Sequence, residues 1–317
     1  MTVSRAFKAD SSVSQVTREA ILKAAEDLGY VFDSTASNLR SQRTDFIAVT
    51  VPSINNANFA ETVRGLAERL KPRGLQILLG YTDYDMAEEE RLIEQFLRRR
   101  PEAIVVTGGR HTPRARRMLE NAGIPVVETW DLPEQPIGHV VGFSNAGAVQ
   151  GVVDHFVARG LVNIAFIGGD TTRDTRGADR RAGFIAAMQA HGLDATRLVA
   201  AGVPPISMRE GAEAMRHLLN CFPDTQAVIC VSDLSAYGAL TECQRRGVDV
   251  PGQVSIAGFG DYEIAGISVP TLTTVNPFPS KIGAMTGDLV LAALDGQLAE
   301  PRTVRIETEL LLRDSTR

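Results

Sequence analysis

The sequence predicts an α/β protein of two doubly wound parallel-sheet lobes, preceded by a short helical head. Three observations carry that expectation. Apolar runs such as Phe46-Ile-Ala-Val-Thr-Val51 are continuous, as strands buried on both faces require. Such runs alternate with segments of helical periodicity over short links, the pattern of a parallel sheet covered on both sides. The alternation then restarts near His139, and 317 residues suffice for about two domains.

In the head, Thr17 to Leu28 sets Ile21, Leu22, Ala25 and Leu28 at helical spacing, with Thr17 as the expected N-cap and Gly29 as the stop. Ser34 to Ser41 is a second candidate helix of two turns. Isolated helices below ~12–15 residues are marginal in water, so this one needs outside support. From Asp45 the pattern becomes strand and helix in turn. Strand 46–51 leads to a helical face of Phe59, Val63, Leu66, Ala67 and Leu70, closed by Pro72 and Gly74. Strand 75–79 follows, then a helix around Leu92, Ile93, Phe96 and Leu97, strand 103–107, helix 113–121 and strand 124–127.

The second cycle begins with strand 139–143, helix 145–159 and strand 163–167. Helix 177–191 ends at Gly192, and strands near Leu198 and over 227–231 precede a helix over 234–246 and strand 254–259. The tail, Thr303 to Leu310, alternates with period two and reads as one late strand returning to a sheet. Two similar units imply a cleft between two lobes.

Composition excludes several classes. The chain is 44% hydrophobic and 22% charged, so it is neither fibrous nor disordered. Cys221, Cys230 and Cys243 build no disulfide framework or zinc ribbon and read as small buried residues of a reducing cytoplasm. No apolar run approaches the ~18 residues of a membrane helix, and the N-terminus lacks the apolar core of a secretory signal. The expectation is a cytoplasmic protein with no membrane partner. Net charge is −5, but unevenly spread: residues 1–43 carry +1 and the rest −6. A mildly basic head on an acidic body hints at polyanion contact at one end.

Catalytic signatures are missing. There is no P-loop, no G-x-G-x-x-G after a strand, no H-E-x-x-H and no G-x-S-x-G. The expectation is a binding protein with no cofactor and no metal. Open α/β sheets bind ligands at the carboxyl ends of their strands. Those ends are Pro52–Asn58, Tyr81–Asp85, Glu128–Asp131, Gly169–Arg176, Ser232-Asp233 and Gly260-Asp261-Tyr262, which hold Ser53, Asn55, Glu128, Asp233 and Asp261 with the aromatics Trp130 and nearby Phe59. Carboxylates and amides read hydroxyls, and aromatic rings stack on a ring face. A polyhydroxylated small molecule fits that inventory; as the bland alternative, the same residues cap helices and form turns.

The sharpest local feature is Arg173-Asp-Thr-Arg176-Gly-Ala-Asp-Arg180-Arg181, four arginines where a strand-end loop enters a helix. Helix N-termini favour anions, and guanidinium groups hold carboxylate or phosphate in a bidentate fork. Arg176 and Arg180 are i,i+4 and can point one way. The competing reading is a solvated face tied by Asp174 and Asp179. Arg176 and Arg180 are the favoured partners of an anionic group on the ligand.

Head and body together resemble the lactose-repressor family of bacterial transcription regulators. Thr2-Val-Ser-Arg5, Val13-Ser14, Thr17-Arg18, Leu28-Gly-Tyr30, Ala36 and Leu39 follow its DNA-binding signature. The segment 47–70, Arg180-Arg-Ala-Gly-Phe184, Ser232-Asp233, Gly258-Phe-Gly-Asp261 and Leu272-Thr-Thr-Val275 match its effector domain. The resemblance covers essentially the whole chain. It implies a periplasmic-binding-protein-like body with a remnant helix-turn-helix and hinge helix over 1–44. It divides the body into a lobe of 45–143 with a return near 276–303, and a lobe of 144–275 with the tail from near 304.

The resemblance also implies roles. Thr2, Ser4 and Arg5 face operator DNA, with Arg5 the base reader. Ser14 and Arg18 contact phosphates. Ala36 belongs to the hinge helix, and Leu39 is its apolar wedge into the minor groove, folded on DNA beside its twin from a second subunit. Counterparts of the family's first helix and the start of its second are missing before Met1. The expectation is a longer cellular chain, with poor operator binding by this one. Phe32-Asp33 stands where the family has Pro-Asn.

Within the family, Gly123-Ile-Pro-Val-Val-Glu128, Val141-Gly-Phe143 with Asn145, and Gly258-Phe-Gly-Asp261 look most like regulators of gluconate use. The implied protein is a homodimeric repressor controlled by a sugar acid such as gluconate. Hydroxyls would meet Asn55, Asp233 and Asp261, and the carboxylate Arg176 or Arg180. A phosphorylated sugar satisfies the same donors, and the sign of the effect on DNA binding stays open. Two alternatives share the body: a sugar-binding protein without DNA function, and a sugar-processing enzyme.

Overall fold

A computed structural model describes residues 2–7, 13–31 and 44–317. The chain forms two compact units, Met1–Thr44 and Asp45–Arg317.

In the first unit, α1 (Thr2–Ala6) precedes α2 (Gln15–Asp27). Ser14, not Thr17, caps α2: its hydroxyl accepts from the Thr17 amide at 3.3 Å. The extended backbone of Ser14 starts the helix earlier than the apolar spacing alone implies. Gly29, at φ +61°, ends it in the left-handed conformation. The two helices meet over the fully buried Ala6, whose carbonyl accepts from Arg18 Nε at 3.0 Å. The Phe7 and Tyr30 rings lie 6.3 Å apart. The expected hinge helix, with Ala36 and Leu39, lies outside the described residues.

The second unit starts with β1 (Phe46–Val51), α3 (Ala57–Leu70), β2 (Gln76–Tyr81), α4 (Met86–Arg98), β3 (Ala103–Thr107), α5 (Pro113–Glu120), β4 (Val126–Thr129) and β5 (His139–Gly142). It continues with α6 (Asn145–Ala158), β6 (Ile164–Gly168), α7 (Thr175–Ala190), β7 (Leu198–Ala200), α8 (Met208–Cys221), β8 (Ala227–Cys230), α9 (Asp233–Arg246) and β9 (Ser255–Phe259). Last come α10 (Glu263–Ile267), β10 (Thr273–Asn276), α11 (Pro279–Leu294), β11 (Thr303–Arg305) and β12 (Glu309–Leu311). Two six-stranded sheets result, ordered β11-β5-β4-β3-β1-β2 and β12-β10-β9-β8-β6-β7. All pairings are parallel except β10 with β12.

The chain passes between the sheets three times. After β5 it enters α6, which packs on α7; after β10 it enters α11, which packs on α3; after β11 it enters β12. The last passage corrects the single tail strand. Residues 303–305 extend the first sheet beside β5, and 309–311 run antiparallel to β10 of the second. Alternation continues through both pieces because each is a half-covered edge. The cysteine expectation needs one correction too: Cys230 and Cys243 are buried, but Cys221 is exposed at the end of α8. Among the described residues no helix is long and apolar enough to cross a membrane.

Candidate functional site

Both sheets turn their carboxyl ends toward one cavity of about 210 Å³. A water needs only ~10–15 Å³ of such space, so there is room for a small polyhydroxylated molecule. From the first lobe come Ser53, Asn55, Asn56, Asn58 and Phe59 at the start of α3, with Tyr84 after β2 and Trp130 after β4. From the second come Asp174, Arg176 and Arg180 of the α7 entry, Pro204–Ser207, Ser232, Phe259 and Tyr262.

Local backbone chemistry positions these side chains. Asn56 caps α3, its Oδ1 accepting from the Asn58 amide at 3.0 Å. That oxygen also accepts from the Tyr262 hydroxyl of the opposite lobe at 2.7 Å. Asp174 caps α7 through the Gly177 amide at 2.9 Å, which starts the helix so that Arg176 and Arg180 share one face. Trp130 stands at φ +69°, its indole N–H donating to Thr62 at 3.1 Å and its ring edge-on to Phe59 and Phe143.

The two arginines are held differently. Arg180 donates from Nε to Asn145 Oδ1 at 3.1 Å and from Nη1 to the Val231 carbonyl at 3.0 Å. Its guanidinium carbon lies 3.6 Å from the Phe259 ring centre. Burial pushes it down to about 10; Asp174 opposes that shift and Arg176 adds to it. Arg176, 6% exposed, crosses to the other lobe, where its Nη1 makes a long 3.4 Å contact with the Thr107 carbonyl and its guanidinium carbon sits 5.7 Å from the Phe59 ring centre. Gly108, at φ +104°, permits that crossing, because a Cβ there would stand 2.9 Å from the guanidinium. Among the described residues neither guanidinium has an ion-pair partner. The flanking ion pairs are Arg110 with Asp179 and Arg173 with Asp83, both across the cleft.

Of nine expected effector residues, Ser53, Asn55, Phe59, Trp130, Arg176 and Arg180 line the cavity. Three do not. Glu128 is fully buried on the far face of its sheet. It accepts from the Ile137 amide at 2.6 Å and lies 3.5 Å from His111 Nε2, while the other imidazole nitrogen meets Glu89 at 2.9 Å. Asp233 lies behind the cavity wall, accepting from the Tyr262 amide at 2.8 Å and the Thr274 hydroxyl at 2.6 Å. Asp261 pairs with Arg313 at 2.6 Å and accepts from Asn276. The last two hold the Gly260–Tyr262 turn in place. The cavity also takes Asn56, Asn58, Tyr84, Asp174, Ser207 and Tyr262, which are not among the nine; all but Ser207 lie in the strand-end loops that the sequence singles out.

In the head, Arg5 is exposed on α1 and Ser14 is exposed at its cap. Arg18 already spends Nε on Ala6. Thr2 and Ser4 lie in α1, their side chains outside the described set.

Comparison with known proteins places this arrangement. The family description "Bacterial regulatory proteins, lacI family" matches residues 1–33, and "Periplasmic binding protein-like domain" matches 153–316. The HTH-type transcriptional regulator GntR of Pseudomonas aeruginosa is 35% identical over 316 residues, spanning 100% of this chain and 92% of that one. The chain belongs to the LacI family. A solved LacI-family regulator from Silicibacter pomeroyi superposes with a TM-score of 0.93 at 30% identity, covering 100% of this chain and 96% of the other. A second, from the same organism, is 42% identical with a TM-score of 0.81, covering 86% and 98%. As a LacI-family member the chain is a DNA-binding transcriptional regulator, and these relatives are regulators rather than enzymes.

Proposed function

We propose that this regulator is a homodimeric cytoplasmic repressor whose cavity takes a sugar monoacid of the gluconate type. One observation carries the reading. The charged side chains lining the cavity are Asp174, Arg176 and Arg180, a net charge of +1 withdrawn from bulk water. An uncompensated buried charge is costly, and a single carboxylate balances it. A phosphate monoester brings about −1.5 to −2 at pH 7 and overshoots. The amides of Asn55, Asn56 and Asn58 and the hydroxyls of Ser53 and Ser207 provide donors and acceptors for a polyol chain. Phe59 and Trp130 cover its C–H faces.

The ligand draws the lobes together in proportion to its preference for that arrangement, and the change in lobe angle alters how two heads address DNA. Exposed Met208, Ile267 and Val269 offer apolar surface to a second subunit. In the head, Arg5 reads a guanine edge, and Ser14 and the free nitrogens of Arg18 hold phosphates.

Calorimetric titration with gluconate, its 6-phosphate and the neutral polyol sorbitol tests the reading. Gluconate is expected to bind best, and Arg180→Ala to cost at least tenfold in its affinity. Equal binding of sorbitol, or an unchanged Arg180→Ala protein, overturns it.

A further inference from the structure

We propose that Tyr84 is the first lobe's donor to the ligand's anionic group, and that Arg173 braces the turn carrying it from the opposite lobe. The proposal rests on the sugar-acid reading of the cavity. Arg176 and Arg180 both belong to the second lobe, so they alone would hold an anion without requiring the first lobe to approach. Tyr84 supplies the missing half. It lines the main cavity and also a smaller recess beside Arg110, Arg173 and Arg176.

Its surroundings define its chemistry. Burial, then the charge of Asp174, drives the phenol up to about 12, while Arg176, Arg180 and Asn56 act in the opposite direction. A phenol so placed keeps its proton at physiological pH and serves as an O–H donor within the field of both guanidiniums. Hydrogen bonds to ionised acceptors are the strong ones, which suits a carboxylate receiving N–H from lobe two and O–H from lobe one.

The backbone explains how the ring gets there. Asp83 and Tyr84 take successive left-handed conformations, φ +51° and +57°. Bulky residues avoid this region unless other contacts impose it. The Asp85 amide closes the turn on the Thr82 carbonyl at 2.9 Å, and Asp85 itself caps α4. The remaining restraint comes from across the cleft: Arg173 Nη2 donates to the Asp83 carbonyl at 2.6 Å. Presentation of the phenol is thus tied to the approach of the lobes, and an acid is rewarded for closure where a neutral polyol is not.

Gluconate titration of the whole chain, wild type against Tyr84→Phe, is the test, with sorbitol as neutral control and thermal melting to check folding. Tyr84→Phe keeps the ring and removes only the hydroxyl. Gluconate affinity is expected to fall at least tenfold, with sorbitol binding and the melting temperature unchanged. Arg173→Ala should weaken gluconate binding as well, and Arg173→Lys, which retains one donor for the Asp83 carbonyl, should recover part of it. Tyr84→Phe affinity within twofold of wild type overturns the role of Tyr84 and leaves the sugar-acid reading standing. Failure of the wild-type protein to bind gluconate overturns that reading and this inference with it.

Discussion

Asp233 and His111 are both drawn deep into the second unit, and both hold their protons more tightly there, for different reasons. Burial raises Asp233 to about 6, against the lowering pull of Thr274 and the Tyr262 amide. Between the ordinary carboxylate value and about 6 the native state therefore holds a proton that the unfolded chain has lost. Stability from this group is present in full below the unfolded value and fades as pH rises through 6, by about 3 kcal/mol in total. Thermal melts from pH 4 to 7.5 should show that decline, and Asp233→Asn should flatten it. Burial pulls His111 down, but the facing carboxylates of Glu128 and Glu89 carry it to about 9. Its contribution is present below about 6.5 and lost as pH rises through 9. Glu128→Gln should destabilise the protein at pH 7 and much less at pH 10. Glu128 also shows where residue-level reading stops. Strand alternation puts 128 and 130 on one face, yet the left-handed Trp130 swings its ring to the other side. No neighbouring residue in the sequence announces that reversal.

Elements are far more legible than sites, because central parallel strands buried on both faces must be largely apolar, as β1, β3, β6 and β8 are. The head helix was found but begun late, since the spacing of apolar residues does not report which hydroxyl caps the end. Two edge strands were fused into one, since alternation is the same whichever sheet a short piece joins. Helix packing adds a quantity the pattern hides. A Cβ at Gly238 of α9 would stand 2.0 Å from the Met208 carbonyl of α8, and at Gly283 of α11 2.0 Å from the Thr62 carbonyl of α3. Backbone cannot yield as a side-chain tip does, so the helix pair must separate. Gly238→Ala and Gly283→Ala should each cost about 1–3 kcal/mol, read as a lowered denaturation midpoint. Gly266, with open space around it, should accept alanine at little cost.

For the molecule as a whole, charge and shape make separate claims. The cross-cleft pairs Arg110–Asp179 and Arg173–Asp83 have half-exposed partners, so each holds the lobes by less than about 1 kcal/mol and weakens as salt rises. Arg110→Ala should leave gluconate affinity within about fivefold of wild type. If Met208, Ile267 and Val269 meet a second subunit, Ile267→Glu should shift the sedimenting species toward the monomer. In the head, Arg5→Ala is expected to relax base preference at one operator position, costing about 1–3 kcal/mol there.

The three passages of the chain between the sheets, near residues 143–144, 277–278 and 306–308, also govern which movements are available. A single thread would let one half spin or drift; three side by side act like the spine of a book. The covers swing about a common line but neither slide nor twist far, so whatever settles between the pages is converted into an angle and little else.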